Sequence, residues 1–274
     1  MNEIKIEKVS FSYDQKKPVL NNVSLTIQNP TTAIIGQNGA GKSTLVKLCK
    51  GLLKPASGDI WINDHNTKEY TAAQLAAHIG LVFQNPADQI FKHRVIDEVM
   101  FGPINIGLSK EEAYENSMRA LKKLGMDKHS ERNPYDLNLS EQKLVTIASI
   151  LAMDPPIIIF DEPTIGQDDY GKELIRHVIH ELASNGKLVL TIIHDMDFVA
   201  ENFERTVVMN KGEVILDGPT REVFAREDII LEAKLDIPQV IQIAKAFGIS
   251  DAVLTVDELI DLMRVHLGDS FPLK

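Results

Sequence analysis

Residues 36–44 read Gly36-Gln37-Asn38-Gly39-Ala40-Gly41-Lys42-Ser43-Thr44. The stretch follows the apolar residues 32–35, typical of a strand, and precedes residues 45–49, whose composition favours a helix. Glycines let successive backbone N–H groups surround a polyphosphate, and the start of a helix adds its positive end. In such a loop Lys42 reaches the β- and γ-phosphates, and the Ser43 hydroxyl ligates Mg²⁺. The sequence therefore predicts a phosphate-binding loop for ATP and Mg²⁺.

The bulk composition excludes several classes of protein. With 274 residues the chain can bury a full core, and its net charge of −10 argues against a nucleic-acid-binding surface. A single cysteine, Cys49, excludes an internal disulfide framework, and its apolar context predicts a packed thiol. No apolar run approaches the roughly 20 residues that cross a bilayer, and the first residues do not resemble a signal peptide. We expect a cytosolic chain whose membrane role comes through a partner.

Two kinds of strand pattern divide the chain. Apolar residues alternate with polar ones over residues 4–27, which predicts antiparallel strands exposed on one face. Continuous apolar runs at residues 157–160 and 188–193 predict strands buried on both faces of a parallel sheet. Residues 207–216 read as two apolar segments around Asn-Lys-Gly, a hairpin signal.

The remaining segments have helical composition. Residues of about 86–150 predict an inserted helical subdomain, and the chain after about residue 228 again turns helical. We therefore predict an α/β fold: a mixed sheet, an antiparallel β subdomain, the helical insertion and a C-terminal helical appendage. The expected domains are an ATPase domain over residues 1–228 and an appendage over residues 229–274.

Two adjacent carboxylates end the apolar run at residues 157–160. Asp161 and Glu162 follow it directly, and parallel sheets present their ligands at the carboxyl ends of the strands. Asp161 is predicted to hold Mg²⁺, directly or through water. Glu162 is predicted to be the catalytic base that polarises the water attacking the γ-phosphate. Taken alone, these two residues are better interpreted as an acidic turn without function. Together with the phosphate loop, the catalytic interpretation is the better one.

The order of further residues resembles the nucleotide-binding subunit of an ABC transporter. By that resemblance, Gln84 is the Q-loop glutamine near the Mg²⁺ shell, and His194 is the switch histidine that contacts the γ-phosphate. Both join Lys42 and Glu162 as candidate catalytic residues. Asp168 corresponds to the D-loop, which crosses the dimer interface in that family. Tyr13 corresponds to the aromatic residue that stacks on adenine; a core tyrosine is the alternative.

A narrower resemblance is to the ATPases of energy-coupling factor (ECF) transporters. It rests on five stretches of the sequence: residues 82–89, 97–103, 194–198, 236–240 and 254–259. The last two resemble the C-terminal dimerisation domain of those ATPases. The resemblance implies an importer of a micronutrient, a vitamin or a transition-metal ion. Its partners are a second related ATPase, a transmembrane coupling subunit and a membrane-embedded substrate-binding subunit.

One family motif is altered. ABC ATPases carry the signature motif Leu-Ser-Gly-Gly-Gln before the strand that ends in the two carboxylates, here residues 157–162. A fixed-length alignment back from Asp161 places residues 137–141, Leu-Asn-Leu-Ser-Glu, at this signature motif. Asn138 and Glu141 keep the spacing of a helix capping box. Leu139 and Ser140 replace the two glycines that let the backbone approach the γ-phosphate. We expect this signature motif to activate the opposing ATP poorly.

The altered signature motif predicts an asymmetric pair of ATPases. The D-loop reads Gly-Gln-Asp at residues 166–168 and lacks the family's leucine. We expect residues 138–141 and Asp168 at a dimer interface, in a heterodimer with a related ATPase; a homodimer is the alternative. The other functions considered are an ATPase of another ABC importer class, a regulatory ATP-binding subunit with weak turnover, and a DNA-repair or translation ATPase. DNA-repair and translation ATPases usually carry long coiled coils, zinc cysteines or tandem ATPase modules, and this sequence shows none of these features.

Overall fold

A computed structural model describes residues 2–14, 17–249 and 252–267. Residues 250, 251 and 268–274 of the predicted appendage lie outside this part of the chain. The strands are β1 (Ile4–Phe11), β2 (Leu20–Ile27), β3 (Thr31–Ile35), β4 (Ser57–Ile62), β5 (His65–Asn66), β6 (Ile79–Val82), β7 (Ile157–Asp161), β8 (Leu188–Ile192), β9 (Arg205–Asn210) and β10 (Glu213–Pro219). The α-helices are α1 (Lys42–Cys49), α2 (Val95–Asn105), α3 (Lys110–Lys123), α4 (Leu139–Met153), α5 (Asp169–Ser184), α6 (Met196–Asn202), α7 (Thr220–Ala225), α8 (Glu227–Glu232), α9 (Gln239–Ala246) and α10 (Val256–Leu267).

The smaller sheet is four-stranded and antiparallel, with the order β2-β1-β4-β5. Its period-two sequence pattern follows from burial of one face only. Ile4 pairs with Ile27 on one side and with Ile62 on the other, and all three side chains are fully buried. The alternation of residues 4–27 thus indicated the correct strand type.

The larger sheet has six strands in the order β10-β9-β3-β8-β7-β6. Its neighbours from β9 to β6 are parallel, and β10 closes one edge as an antiparallel hairpin with β9. Alternate residues of β7 face two different apolar clusters: Ile157 and Ile159 pack towards the smaller sheet, while Ile158 and Phe160 pack towards the helices. Burial of both faces explains the unbroken apolar run.

The helices between β6 and β7 form one packed group. α2, α3 and α4 contact one another, and α3 begins with a capping box between Ser109 and Glu112. The helices after residue 228 contribute to the same apolar cluster as this group, through side chains such as Ile241 and Ala244. Within the described ranges, no helix combines the length and the apolarity that a membrane crossing requires.

The sheet gathers the predicted site residues at one edge. β3 ends at Ile35, directly before the phosphate loop, and β7 ends at Asp161. β6 and β8 end just before Gln84 and His194. Because these strands are parallel and adjacent, their carboxyl ends meet at the same edge, as ligand sites of such sheets require.

Candidate functional site

The phosphate loop depends on glycine for its backbone shape. Gly39 and Gly41 adopt φ values of +81° and +102°, where a side chain is strained. A Cβ on Gly41 would lie 2.7 Å from the side chain of Leu20, and a Cβ on Gly36 would lie 2.3 Å from the carbonyl oxygen of Met209. The loop is therefore packed against β2 and β9, and its backbone is held ready for a ligand.

Lys42 lies inside this loop rather than in solvent. Its Nζ donates to the carbonyl oxygens of Gly36, at 2.6 Å, and Gln37, at 3.1 Å. Burial lowers the pKa of the ammonium, and the carboxylates of Glu162 and Asp161 oppose that shift. An ammonium held by loop carbonyl oxygens at the start of α1, where the helix N-terminus favours negative charge, fits the β- and γ-phosphates of a nucleotide.

A hydroxyl and a carboxylate meet beside the loop. Ser43 Oγ donates to Asp161 Oδ1 at 3.3 Å, although 118 residues separate them in the sequence. Burial raises the pKa of Asp161, and the hydrogen bond from Ser43 opposes the increase. Oxygen ligands of this kind are those that Mg²⁺ prefers, so this pair fits the ion predicted from the sequence.

Glu162 holds two partners at once. His194 Nε2 lies 3.0 Å from Oε1, and Gln84 Nε2 donates to Oε2 at 2.7 Å. The hydrogen bond from His194 is the largest cause that lowers the pKa of Glu162, while burial of the carboxyl opposes it. An ionised carboxylate only accepts hydrogen bonds, so Nε2 of His194 carries the proton. The carboxylate is therefore in the basic form that a general base needs.

The backbone of Glu162 is strained. Its φ is +51°, in the left-handed region, and its N–H donates to the carbonyl oxygen of Ile192 at 2.9 Å. That conformation costs a residue with a side chain about 1–2 kcal/mol. It turns the chain sharply after β7, at the point where the Glu162 carboxylate contacts Gln84 and His194. Residue order gave no sign of this conformation.

Lys143 is a buried lysine beside Gln84 that no sequence motif predicted. Its side chain is 1% exposed, and Nζ donates to the carbonyl oxygens of Phe83, at 3.0 Å, and Gln84. Burial lowers its pKa to about 8, against the attraction of Asp161 and Glu162. A signal existed in the sequence: this lysine is the one charged residue between positions 142 and 153, within an otherwise buried helix.

The Q-loop is tied to α4 a second time. The side chain of Gln89 accepts from the N–H of Phe83 at 3.2 Å and donates to the carbonyl oxygen of Thr146 at 3.1 Å. Together with Lys143, this glutamine connects the helical group to the backbone on both sides of Gln84. α4 is thereby hydrogen-bonded to the backbone next to the glutamine that contacts Glu162.

Tyr13 lies against the phosphate loop with its ring open to solvent. The side chain is 63% exposed, and its hydroxyl lies 3.2 Å from Thr44 Oγ1. Phe11 supports the ring edge-on, with 5.0 Å between ring centroids. An exposed aromatic face beside a phosphate loop is what stacking on a base needs.

Residues 138–141 form a capped helix start away from this cluster. Asn138 caps α4, and its side chain and that of Glu141 make both bonds of the capping box expected from their spacing. Leu139 is 53% exposed. Asp168 caps α5 by accepting from the N–H of Gly171 at 2.8 Å. In the described ranges, no hydrogen bond joins residues 138–141 to the carboxylates at the end of β7.

Comparison with known proteins identifies the family. The ABC transporter family pattern matches residues 20–165. The chain belongs to that family. A putative ABC transporter ATP-binding protein of Pyrococcus furiosus is 40% identical over 257 residues, 94% of this chain and 98% of the relative. The energy-coupling factor transporter ATP-binding protein EcfA of Methanothermobacter thermautotrophicus is 36% identical, over 97% of this chain and 88% of the relative.

Solved structures of ABC proteins have the same fold. The structure of cbiO1 of Clostridium perfringens, part of the ABC transporter complex cbiONQ, matches with a TM-score of 0.73 and 32% identity, over 88% of this chain and 98% of that one. A dimeric cassette, MJ0796, in a post-hydrolysis state with ADP and Pi matches with a TM-score of 0.73 and 27% identity, over 80% of this chain and 99% of that one. The sequence-based prediction of an ABC ATPase fold and of ATP hydrolysis is thereby confirmed.

Proposed function

We propose that this ABC transporter ATP-binding subunit powers an ECF-type importer of a micronutrient, a vitamin or a transition-metal ion. The observation that carries the proposal is the likeness to EcfA and cbiO1 over most of the chain. The sequence stretches around Gln84 and in the C-terminal helices support it. The transported solute does not contact this subunit, so its residues do not define the solute further.

Each site residue has a proposed role. ATP is held by Tyr13 at the adenine and by residues 36–44 at the phosphates, with Lys42 at the β- and γ-phosphates. Ser43, Gln84 and Asp161 hold Mg²⁺, which neutralises charge on the phosphate oxygens when bound. Glu162 accepts the proton of the attacking water, and His194 orients the γ-phosphate and the base.

We propose that Glu162 gives up one of its partners when it acts. Gln84 and His194 occupy both of its carboxylate oxygens in this arrangement. Release of one of these hydrogen bonds frees a carboxylate oxygen to accept from the attacking water. Because Lys143 and Gln89 tie the Q-loop to α4, we propose that movement of the helical group upon assembly releases Gln84 from Glu162.

The proposed assembly is asymmetric. The phosphate loop of this chain faces the signature motif of a second, related ATPase, and residues 138–141 and Asp168 face the partner's ATP. A transmembrane coupling subunit and a membrane substrate-binding subunit complete the complex, at the cytoplasmic face of the membrane and without nucleic acid. We propose that residues 1–228 form the ATPase domain and that residues 229–274 support pairing of the two ATPases.

A regulatory subunit with weak turnover is the second candidate. The exposed Leu139, where the family motif has glycine, favours it. The ionised, doubly hydrogen-bonded Glu162 favours the catalytic subunit. An ATPase of another ABC importer class is the third candidate.

Isolation of the membrane complex tests the proposal. The full-length chain would carry an affinity tag in its own host, be extracted in mild detergent, and its bound subunits would be identified and counted. We expect one copy of a second ABC ATPase whose signature motif keeps its glycines, together with two integral membrane proteins. Untagged cells are the control. Recovery of identical copies alone would contradict the heterodimer, and a complex without membrane subunits would contradict the transport role.

A further inference from the structure

Two residues that depart from the family pattern are bonded to each other. Ser140 Oγ donates to Gln167 Oε1 at 2.8 Å, and Gln167 Nε2 donates to the carbonyl oxygen of Ser140 at 3.3 Å. Ser140 stands where the signature motif has glycine, and Gln167 stands where the D-loop has leucine. We call this pair of hydrogen bonds the Ser140–Gln167 clasp. It joins the start of α4 to the loop before α5, 27 residues further along the chain.

A glycine provides the space for the clasp. A Cβ added to Gly171, in the first turn of α5, would lie 2.2 Å from Gln167 Oε1 and 3.1 Å from its Cδ. Any other residue at this position would therefore push the glutamine amide away from Ser140. The backbone there is held independently, because the N–H of Gly171 donates to Asp168.

The residues on either side of the clasp also meet. Gly166 has a φ of +76°, and a Cβ there would lie 3.3 Å from Leu139 Cδ2. Residue 139 thus lies over residue 166, and residue 140 bonds to residue 167. Ser140 thus bonds to the D-loop of the same chain, and the exposed Leu139 lies beside that loop. The two altered motifs form one surface.

We propose that the Ser140–Gln167 clasp is a positioning device, which fixes the loop of residues 165–168 to the start of α4 so that both move as one body. The loop then keeps its orientation towards a bound partner when α4 moves. Its effect on ATP turnover rests on the proposed heterodimer, in which both segments face the partner's ATP. The mechanical coupling itself does not depend on a partner.

Hydrogen exchange in the isolated full-length chain tests the coupling. The reporter is the amide of Gln167, which donates to the carbonyl oxygen of Thr164 at 3.2 Å. Ser140→Ala removes one bond of the clasp, and Gly171→Ala displaces Gln167 without changing either partner. We expect both variants to raise the exchange rate on the order of five-fold, the scale of one net hydrogen bond.

The matched control is Ser149→Ala on the same helix, since Ser149 Oγ donates within α4 to the carbonyl oxygen of Val145 at 3.0 Å. It should leave exchange in residues 165–168 at the wild-type rate. Exchange that is unchanged in Ser140→Ala and Gly171→Ala, or equal to that of the control, overturns the clasp. Combining the two variants should add nothing beyond Gly171→Ala alone, and a fully additive effect also contradicts the clasp.

Turnover in the assembled complex tests the positioning role. Glu162→Gln in this chain silences its own phosphate-loop site, so that the remaining hydrolysis occurs at the partner's loop and this chain's signature motif. On this background we expect Ser140→Ala and Gly171→Ala to lower kcat on the order of five-fold at unchanged KM for ATP. A raised KM with unchanged kcat overturns the positioning role. The two proposals can fail separately. If both variants raise hydrogen exchange as expected but the isolated complex contains no second ATPase, the clasp is supported and the proposed heterodimer is contradicted.

Discussion

The end of β7 and the start of α4 are the two regions that we propose to act on ATP, and in this chain they differ sharply. At the end of β7, Asp161 and Glu162 are buried, and their partners come from α1 and from the ends of β6 and β8. At the start of α4, residues 138–141 are partly exposed and bond mainly among themselves and with Gln167. The first region has the adjacent carboxylates that the family resemblance implies, and the second has neither of the two glycines of the signature motif.

The difference follows from what each region needs to stay folded. A buried carboxylate without partners costs several kcal/mol, so the cluster at β7 tolerates little change. The start of α4 needs a cap, which Asn138 and Glu141 provide without the family's serine and glutamine. We expect the glycines of the family motif to serve the opposing ATP alone, so the presence of Leu139 and Ser140 in their place is compatible with the fold.

The largest effect is expected from a substitution at the end of β7, the region that has all of its predicted site residues. Glu162→Gln removes the base but keeps a polar side chain of the same size, so ATP binding should persist. Turnover at this chain's own phosphate-loop site should fall at least on the order of 100-fold, the scale of a positioned general base. The measurement is single-turnover hydrolysis in the assembled complex.

The control for this variant is Glu181→Gln, an exposed glutamate of α5 that pairs with Lys123 at 2.6 Å. It should leave hydrolysis unchanged. Undiminished turnover in Glu162→Gln would show that this carboxylate is not the general base, and would contradict a catalytic role for the end of β7.

A smaller effect is expected where the two regions are connected. Lys143→Met removes the ammonium that holds the backbone carbonyls of Phe83 and Gln84, so the Q-loop loses its link to α4. We expect kcat to fall on the order of ten-fold, because a catalytic group displaced by about an ångström loses much of its effect. Nucleotide affinity should change little.

Lys50→Met is a matched control for that variant. Lys50 also donates from Nζ to two carbonyl oxygens, those of Ala72 and Ile79, and burial likewise lowers its pKa to about 8. Both substitutions should lower the free energy of unfolding by about 1–3 kcal/mol. The Lys143 variant alone should lose turnover. Equal kcat in the two variants would show that Lys143 contributes stability and nothing further.

The smallest effect concerns the adenine end of the proposed ATP site. Tyr13→Ala removes the exposed ring beside Thr44, and ATP affinity should fall about five-fold, within the range for an aromatic stacking contact. Tyr13→Phe keeps the ring and should retain most of the affinity. Titration with a fluorescent ATP analogue measures both. Equal losses in the two variants would assign the effect to the hydroxyl rather than to stacking.

Much of the fold could be predicted because burial leaves a local pattern. The alternation in β1 and β2 and the unbroken apolar runs of β7 and β8 each indicated the correct strand type. The order of strands in the two sheets left no such pattern, because pairing joins residues far apart in the chain. The contribution of the C-terminal helices to the main apolar cluster is long-range in the same way.

The candidate site shows the same difference between local features, which the sequence predicts, and long-range contacts, which it does not. The phosphate loop, Asp161 and Glu162 could be predicted as site residues because their chemistry needs fixed residues at fixed spacing. The hydrogen bonds of Glu162 to Gln84 and His194 and its positive φ depend on how three strand ends meet, which no spacing encodes. Lys143 left one signal, a charge within a buried helix, and that signal carries no information on its partners.

Restoration of the signature motif tests the central claim, that the start of α4 limits one of two ATP sites. The variant combines Asn138→Ser, Leu139→Gly, Ser140→Gly and Glu141→Gln, in a complex whose own phosphate-loop site is silenced by Glu162→Gln. Hydrolysis at the partner's loop should rise on the order of 100-fold, the scale of restored backbone donors at a developing charge, and far above any loss from the Ser140–Gln167 clasp. Unchanged hydrolysis would contradict the claim.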